Sequence, residues 1–480
     1  MPKPAGGTAE YGYRNSLSAP LAALGQAAIV AAGPWLFTIT AIALVTWMTV
    51  EVVGLETLAR FRVVVIYAFC LSLVATGAVS IIATRLAADA IHQGRFGEVR
   101  PLFLVALIVG GGGTALVAVL VLALAFTLPV TTVLAGLSLS TLIALVWMSL
   151  TFCSAARSYA AVTWGFLTGL SIGVAGAVIA ARAGYDALGM ILAMCFGMLV
   201  VFLSLASSIL RDFSATSISL SEAAADMAYA ARRLKLLAVG GLVGACGLWI
   251  DKWLMWIGPA GEPIAGGLVH APLYDSALFV AYLAIIPSLA LFVSALEAEF
   301  QDRFHGYYRA ISNHATLTQI DAIAADLREE TKTTLMRIML IQAVVCTVVV
   351  MFAPTLVGIG GLHYQQTGIL RIGTLGALFH FLCLTCTTLL LYLERYAPYL
   401  LLQIIFTGLL AAATQGTIWL GQTWYGLGYL AATAVTGLAA FGVLDRTLAN
   451  VNYITFIMTS SQPPLMRPST AHRRQRLESR

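Results

Sequence analysis

Trp249, Asp251, Lys252, Trp253 and Trp256 stand together inside one apolar run, Leu236 to Gly258, which reads LLAVGGLVGACGLWIDKWLMWIG. A carboxylate beside an ammonium in such a run is costly, because a charge at mid-membrane costs at least ~3 kcal/mol on insertion scales. Intramembrane charges therefore mark a pathway or a relay by default. At helical spacing Trp249, Lys252, Trp253 and Trp256 share one face, and Asp251 points roughly 100° away. Two chemistries fit. In one, the tryptophans form an interfacial belt and Lys252 snorkels roughly 9 Å to the helix end. In the other, the face lines a water-filled cavity, where indole rings stack on the apolar C–H faces of sugar rings. Asp251 or Lys252 then binds polar groups. Tyr274 and Asp275 open the next span on the same side, with Asp275 placed to neutralise Lys252. Arg371 begins a later span and His380 lies within it. An intramembrane histidine is either a hydrogen-bonded interior residue or a proton relay.

The elements that must position these groups are membrane helices. Apolar residues make up 60% of the 480 residues and charged ones 10%, against about 25% charged in soluble domains. Mean hydropathy is +0.89. The spacing predicts an all-α integral membrane protein with twelve spans, each about 20 apolar residues long. A polar segment, 1–20, precedes six spans in 21–210. A basic linker at 211–235 follows, then six more spans in 236–446 interrupted by a polar helical stretch at 297–337. A basic tail, 447–480, ends the chain. The expected architecture is two six-helix lobes around a central cavity.

The charges test the count. The 27 Lys and Arg residues fall on the side of the termini, except Arg60, Arg62, Arg182 and Arg371 on the opposite side and Lys252 within a span. The positive-inside rule then places both termini in the cytoplasm. The first span of each half carries an irregularity, Gly33-Pro34 in one and Gly240, Gly241, Gly244 and Gly247 in the other. Proline kinks or breaks a helix, and small residues let a neighbouring backbone approach. Irregular helices in corresponding positions of two halves point to a transport site between them. Pro287 marks a further irregular helix.

Thr316-x-x-Gln319 has the form of a capping box. Beyond it Leu317, Ile320, Ile323 and Leu327 form a narrow apolar stripe, suited to a membrane surface or to a cytoplasmic partner. The tail arginines Arg473, Arg474 and Arg476 suit anionic lipid, and no nucleic-acid partner is expected. The seven cysteines lie in apolar segments without metal-ligand company, so they read as small core residues. No metal, cofactor or catalytic constellation is expected, and no Gly-Lys-Ser/Thr phosphate loop is present. The loops opposite the termini are short, which argues against a membrane-embedded ligase.

Ala32-Gly33-Pro34-Trp35, Gly247-Leu248-Trp249-Ile250-Asp251-Lys252-Trp253, His270-Ala271-Pro272-Leu273-Tyr274-Asp275-Ser276 and Ala281-Tyr282-Leu283-Ala284-Ile285-Ile286-Pro287 resemble the PelG family of exopolysaccharide transporters. The likeness continues through Glu297 to Tyr308 and extends from about Ala22 to near Met458. The ends, Met1 to Pro20 and the tail after Ser461, depart from the family pattern. The resemblance implies a member of the multidrug/oligosaccharidyl-lipid/polysaccharide flippase superfamily in the bacterial inner membrane. It implies export of an amino-sugar-rich polymer made by a cytoplasmic glycosyltransferase. It also implies membrane scaffold partners, one of them a cyclic-di-GMP sensor. The competing expectation is an ion-coupled small-molecule antiporter, or a lipid-linked oligosaccharide flippase, of the same superfamily.

Overall fold

The computed structural model describes residues 18–458, Ala265 excepted. The first half comprises α1 (Ser18–His92), α2 (Phe96–Leu124), α3 (Val130–Ala155), α4 (Tyr159–Arg182) and α5 (Ala187–Asp212). A short helix, α6 (Leu220–Arg233), links it to the second half. There follow α7 (Lys235–Gly247), α8 (Ile250–Ile257), the two-residue strands β1 (Glu262–Pro263) and β2 (Val269–His270), α9 (Pro272–Leu283) and α10 (Ile286–Ala295). A π-helix at Leu296–Phe300 leads into α11 (Gln301–Ser312), then α12 (Leu317–Ile359), α13 (Gln366–Tyr392), α14 (Tyr396–Leu420) and α15 (Leu427–Ala449). A short turn, α16 (Val451–Tyr453), packs against α12, and a π-helix at Ile454–Met458 ends the described chain. The N-terminal segment up to residue 17 and the tail arginines lie outside the described residues.

Among the described residues ten helices are long and apolar enough to cross a membrane, eleven if the bent pair α7 and α8 counts as one span. The chain is therefore a multi-pass membrane protein. Its 75-residue α1 would run to ~110 Å if straight, several times the ~30 Å hydrocarbon core. Gly54 breaks it, with φ 76° and ψ 167°, a conformation open to glycine and costly for any residue with a Cβ. This corrects the break expected at Gly33-Pro34, where the backbone is helical. A first-half interruption exists, but it falls where the chain leaves the apolar core.

Helices α7 and α10 of the second half both pack on α1, and α7 packs on α14 from its other side. Its glycines explain the fit. A Cβ on Gly241 would lie 2.6 Å from the Gly77 carbonyl oxygen, and one on Gly77 would lie 2.8 Å from Ala245 Cβ. Gly240 faces Tyr399, Gly244 faces Gln403 and Gly247 faces Thr407 and Phe406. One glycine stripe thus admits α1, and its neighbours admit α14.

The seventh span is not one straight helix. α7 ends at Gly247 and α8 resumes at Ile250 with a 42° bend. The eighth is also divided, at Ala284-Ile285, with Pro287 in the first turn of α10. There its missing N–H deprives the helix of no bond.

The capping box forms as spaced: Thr316 N–H donates to Gln319 Oε1 at 3.0 Å, and Gln319 N–H donates to Thr316 Oγ1 at 3.4 Å. The stripe after it is partly covered within the chain, with Leu317 left exposed. Ile320 and Leu327 are buried; Ile320, with Ala324, packs against Tyr307 of α11 and Val451 of α16. The polar stretch from Leu317 onward and the ninth span are one continuous helix, α12, because its caps lie only at Thr316 and Gly360.

Candidate functional site

The bend before α8 turns Asp251 and Lys252 inward. Asp251 is 0% exposed, Lys252 8% and Tyr274 1%. Lys252 Nζ lies 3.0 Å from each Asp251 carboxylate oxygen and donates to Tyr282 Oη at 3.2 Å. The ammonium also sits 5.0 Å from the Tyr282 ring centroid, within cation–π range. Tyr274 Oη donates to Asp251 Oδ2 at 2.9 Å. Tyr429 of α15 bonds the Tyr282 hydroxyl and lies 2.8 Å from His380 Nδ1. The Tyr282 and Tyr429 rings meet edge to face at 5.4 Å.

These six residues come from α8, α9, α13 and α15, all in the second half. The low dielectric strengthens each of these hydrogen bonds and makes each of them expensive to break. Lys252 keeps its helical spacing to Trp253 and Trp256 within α8, but its long side chain folds back onto the carboxylate of the residue before it while the indoles meet α1.

Asp275 does not pair with Lys252. Its Oδ2 accepts the Trp256 indole N–H at 2.8 Å and the Ala271 backbone N–H at 3.1 Å. Asp275 thus ties α8 to the start of α9. Arg371 is exposed, and its Nε donates to the Val350 carbonyl at 3.2 Å. It joins no network with His380.

The tryptophans face the other half. Trp256 stacks on Tyr67 of α1, and Trp249 meets Trp256 edge-on at 6.2 Å. Trp253 Nε1 donates to Cys70 Sγ of α1 at 3.3 Å. After α8 the chain makes a hairpin, with β1 and β2 antiparallel and Glu262 opposite His270. The hairpin reaches across to the first half. Thr127 N–H donates to the Gly266 carbonyl at 3.1 Å, and Tyr67 Oη donates to the Val269 carbonyl at 3.0 Å. Gly266 and Gly267 both have positive φ, and a Cβ on Gly266 would strike the Leu128 side chain at 2.5 Å. Glycine is required at this crossing for both reasons. His270 is half-buried, and burial, then the charge of Arg62, pushes its pKa below the ordinary histidine value.

The opposite end of the halves is joined differently. Arg85 of α1 bonds Asp89 on its own helix and Glu394 in the α13–α14 turn. Glu394 has φ 56°, a left-handed backbone that costs a residue with a Cβ. Arg157 and His314 take the same conformation just past the ends of α3 and α11, so the backbone here is a helix-end turn and the cross-half ion pair is what sets Glu394 apart.

Tyr282, Tyr429, Tyr67, Arg85 and Glu394 escaped the sequence reading of candidate site residues. Tyr282 carried a usable signal, standing eight residues after Tyr274 and so near the same helix face. The others meet their partners only across helices, which no spacing along the chain encodes.

A bundle of bent membrane helices in two halves, with a buried polar network on one side of the seam, defines a membrane transporter. The chain belongs to the family whose model is described as "PelG: Putative exopolysaccharide Exporter (EPS-E)", matched over residues 12–456. No curated protein matches it. Several solved structures share its fold. An outward-facing multidrug resistance MATE family transporter of the MOP superfamily is 15% identical, with a TM-score of 0.57, covering 90% of this chain and 97% of that one. A MOP superfamily transporter from Pyrococcus furiosus Vc1 is 13% identical at a TM-score of 0.57, with the same coverage. The MATE transporter ClbM in complex with Rb+ is 16% identical at a TM-score of 0.56, again over 90% and 97%.

Proposed function

We propose that this exporter moves a nascent, amino-sugar-rich exopolysaccharide of the Pel type out across the bacterial inner membrane. In this reading the arms of α1 on either side of Gly54 cross separately, giving twelve passes, and both termini lie in the cytoplasm. The polymer comes from a cytoplasmic glycosyltransferase, held nearby by scaffold proteins that include a cyclic-di-GMP sensor. The family match supports the cargo class, and one observation carries the route. The two halves are joined at opposite ends by separate, breakable contacts, the hairpin on Thr127 and Tyr67 and the ion pair of Arg85 with Glu394.

Opening one contact while the other holds would give the polymer access from one side at a time. Trp249 and Trp253 are half-buried beside the seam and would offer sugar rings a stacking surface. Asp251, Lys252, Tyr274 and Asp275 would fix the angle of that surface and meet the polymer's polar groups once the halves part. The test is polymer secretion by a strain whose only copy is Asp251→Leu with Lys252→Met. The variant should insert and accumulate normally while secretion stops, and unchanged secretion would remove these residues from the pathway.

A second reading, an ion-coupled small-molecule antiporter or lipid-linked flippase, is favoured by the chain of groups from Asp251 through Tyr282 and Tyr429 to His380. It requires ion-driven dye movement in vesicles holding this protein alone. The exporter reading requires none without the glycosyltransferase.

A further inference from the structure

Two exposed turns meet beside the start of α9. One, between α12 and α13, carries Tyr364 and Gln365; the other, between α14 and α15, carries Gln422 and Trp424. Gln422 Nε2 donates to Gln365 Oε1 at 3.1 Å, which sets the turns side by side as one ledge. Buried Gln366 fixes that ledge to α9. Its Oε1 accepts the His363 N–H at 2.7 Å, and its Nε2 donates to the Pro272 and Leu273 carbonyls at 3.2 and 3.0 Å. Tyr425, also buried, meets Tyr274 of the Asp251 network edge-on at 6.4 Å. Gly421 and Gly426, with φ 98° and 92°, shape the second turn. The ledge is thus a direct continuation of the candidate site.

Its surface is aromatic and amidic. Tyr364 is 82% exposed and Trp424 48%, and Gln365, Gln422 and Thr423 are exposed beside them. Trp419, in the last turn of α14, stands where a tryptophan anchors a span at its interface. Trp424 lies past the helix end, among polar neighbours. One hydrogen bond joins the two amides, so Gln365 keeps its N–H donors and Gln422 keeps its carbonyl oxygen. A donor beside an acceptor complements an acetamido group, whose C=O accepts and whose N–H donates.

We propose that this ledge is an exit subsite for the polymer, where Tyr364 and Trp424 stack on sugar faces and the Gln365–Gln422 pair holds an acetamido group. It rests on the exporter reading above, and it names the chemistry that the exit selects. The rings hold any pyranose by its C–H face; the amides distinguish an N-acetylhexosamine from a plain hexose.

The full chain in lipid nanodiscs is titrated with two soluble tetramers, N-acetylchitotetraose and cellotetraose, and binding is read by saturation-transfer NMR. The two share a backbone and differ by acetamido against hydroxyl. The acetylated tetramer should bind about tenfold more tightly, the size of two neutral hydrogen bonds. Gln365→Ala with Gln422→Ala should abolish that preference and leave weak binding of both. Tyr364→Ala with Trp424→Ala should weaken both sugars together. Trp419→Leu, at the helix end, should bind as the parent does. Equal binding of the two tetramers by the unaltered protein, or an undiminished preference in the double glutamine variant, overturns the proposal. The parent comparison stands even if a variant does not fold. Equal binding, with secretion still lost in the Asp251–Lys252 variant, removes the ledge and leaves the route; the opposite pair of results removes the route and keeps the ledge.

Discussion

Trp256 lies face to face with Tyr67, their ring centroids 4.8 Å apart and their planes 19° from parallel. One ring belongs to each half of the chain, and each is also tied polar-end-first, Trp256 to Asp275 and Tyr67 to the Val269 carbonyl. The stack is thus part of a single assembly that joins α8, the hairpin and α1.

Aromatic pairs contribute about 0.5–1.5 kcal/mol beyond the area they bury. A double-mutant cycle of Trp256→Leu and Tyr67→Leu, read by unfolding in detergent, should return a coupling of that size. A coupling of zero would mean that the two rings are neighbours without energetic consequence.

The Asp251–Lys252 pair should respond asymmetrically to mutation. Lys252→Met leaves a buried carboxylate without its cation, and such losses cost about 3–5 kcal/mol. Adding Asp251→Leu should recover most of that, since apolar replacements of buried pairs are often neutral. The Tyr274 hydroxyl then lacks its acceptor, a deficit of about 1–3 kcal/mol that Tyr274→Phe should remove. Thermal denaturation of the single, double and triple variants checks the order. If Lys252→Met proves as stable as the parent, the pair is not sealed from water.

Gly77 and Gly241 should tolerate no side chain. The Cβ of Gly77→Val would meet the Gly241 carbonyl at 2.9 Å, backbone that cannot swing aside. Gly113→Val, where nothing lies within 4 Å, is the matched control. Yield of folded protein by fluorescence-detected size exclusion should fall sharply for the first and hold for the second. Equal yields would contradict the close approach of α1 and α7.

The Arg85–Glu394 contact predicts charge-swap rescue. Arg85→Glu should impair export by setting three acids together, and adding Glu394→Arg should restore part of it. Glu394→Gly relieves the left-handed backbone, about 1 kcal/mol, yet forfeits the ion pair. It should therefore raise stability or leave it unchanged while lowering secretion. A variant that loses neither would reduce Glu394 to a turn residue.

His270 gives the hairpin a pH dependence of known sign. Its folded-state pKa is lowered, chiefly by burial. Below about pH 6.5, the ordinary histidine value, the unfolded chain gains a proton that the folded one resists. Stability should fall as pH drops from there and be flat above it. His270→Gln should abolish the slope, and Arg62→Gln should only soften it. A slope of opposite sign in melting temperature between pH 7.5 and 5.5 would show the imidazole to be held charged.

What the sequence made legible was local. Hydropathy located the spans, and the glycine run of Leu236 to Gly258 announced a close helix contact that Gly241 makes with Gly77. Thr316 and Gln319 announced a helix start. The site was less readable. Lys252 shares its helix with Trp253 and Trp256, but spacing could not show that its ammonium folds back onto Asp251 while the indoles meet α1. Asp275, nineteen residues past Trp256 and on the same side as Lys252, looked like its counter-ion. The distance along the chain could not reveal that Asp251 already occupies the ammonium. Gly54 gave no warning either, since a lone glycine in an apolar stretch reads equally as packing or as a break.

Where Gly77 meets Gly241, two backbones touch, with only Ala245 and Ile81 crowding the contact from the side. Meshed leucines must slip past one another before helices can rock, whereas bare peptide surfaces have nothing to disengage. This close approach of the two halves is for that reason also easy to turn about, a pivot on which a transporter could tilt while its ends take turns letting go.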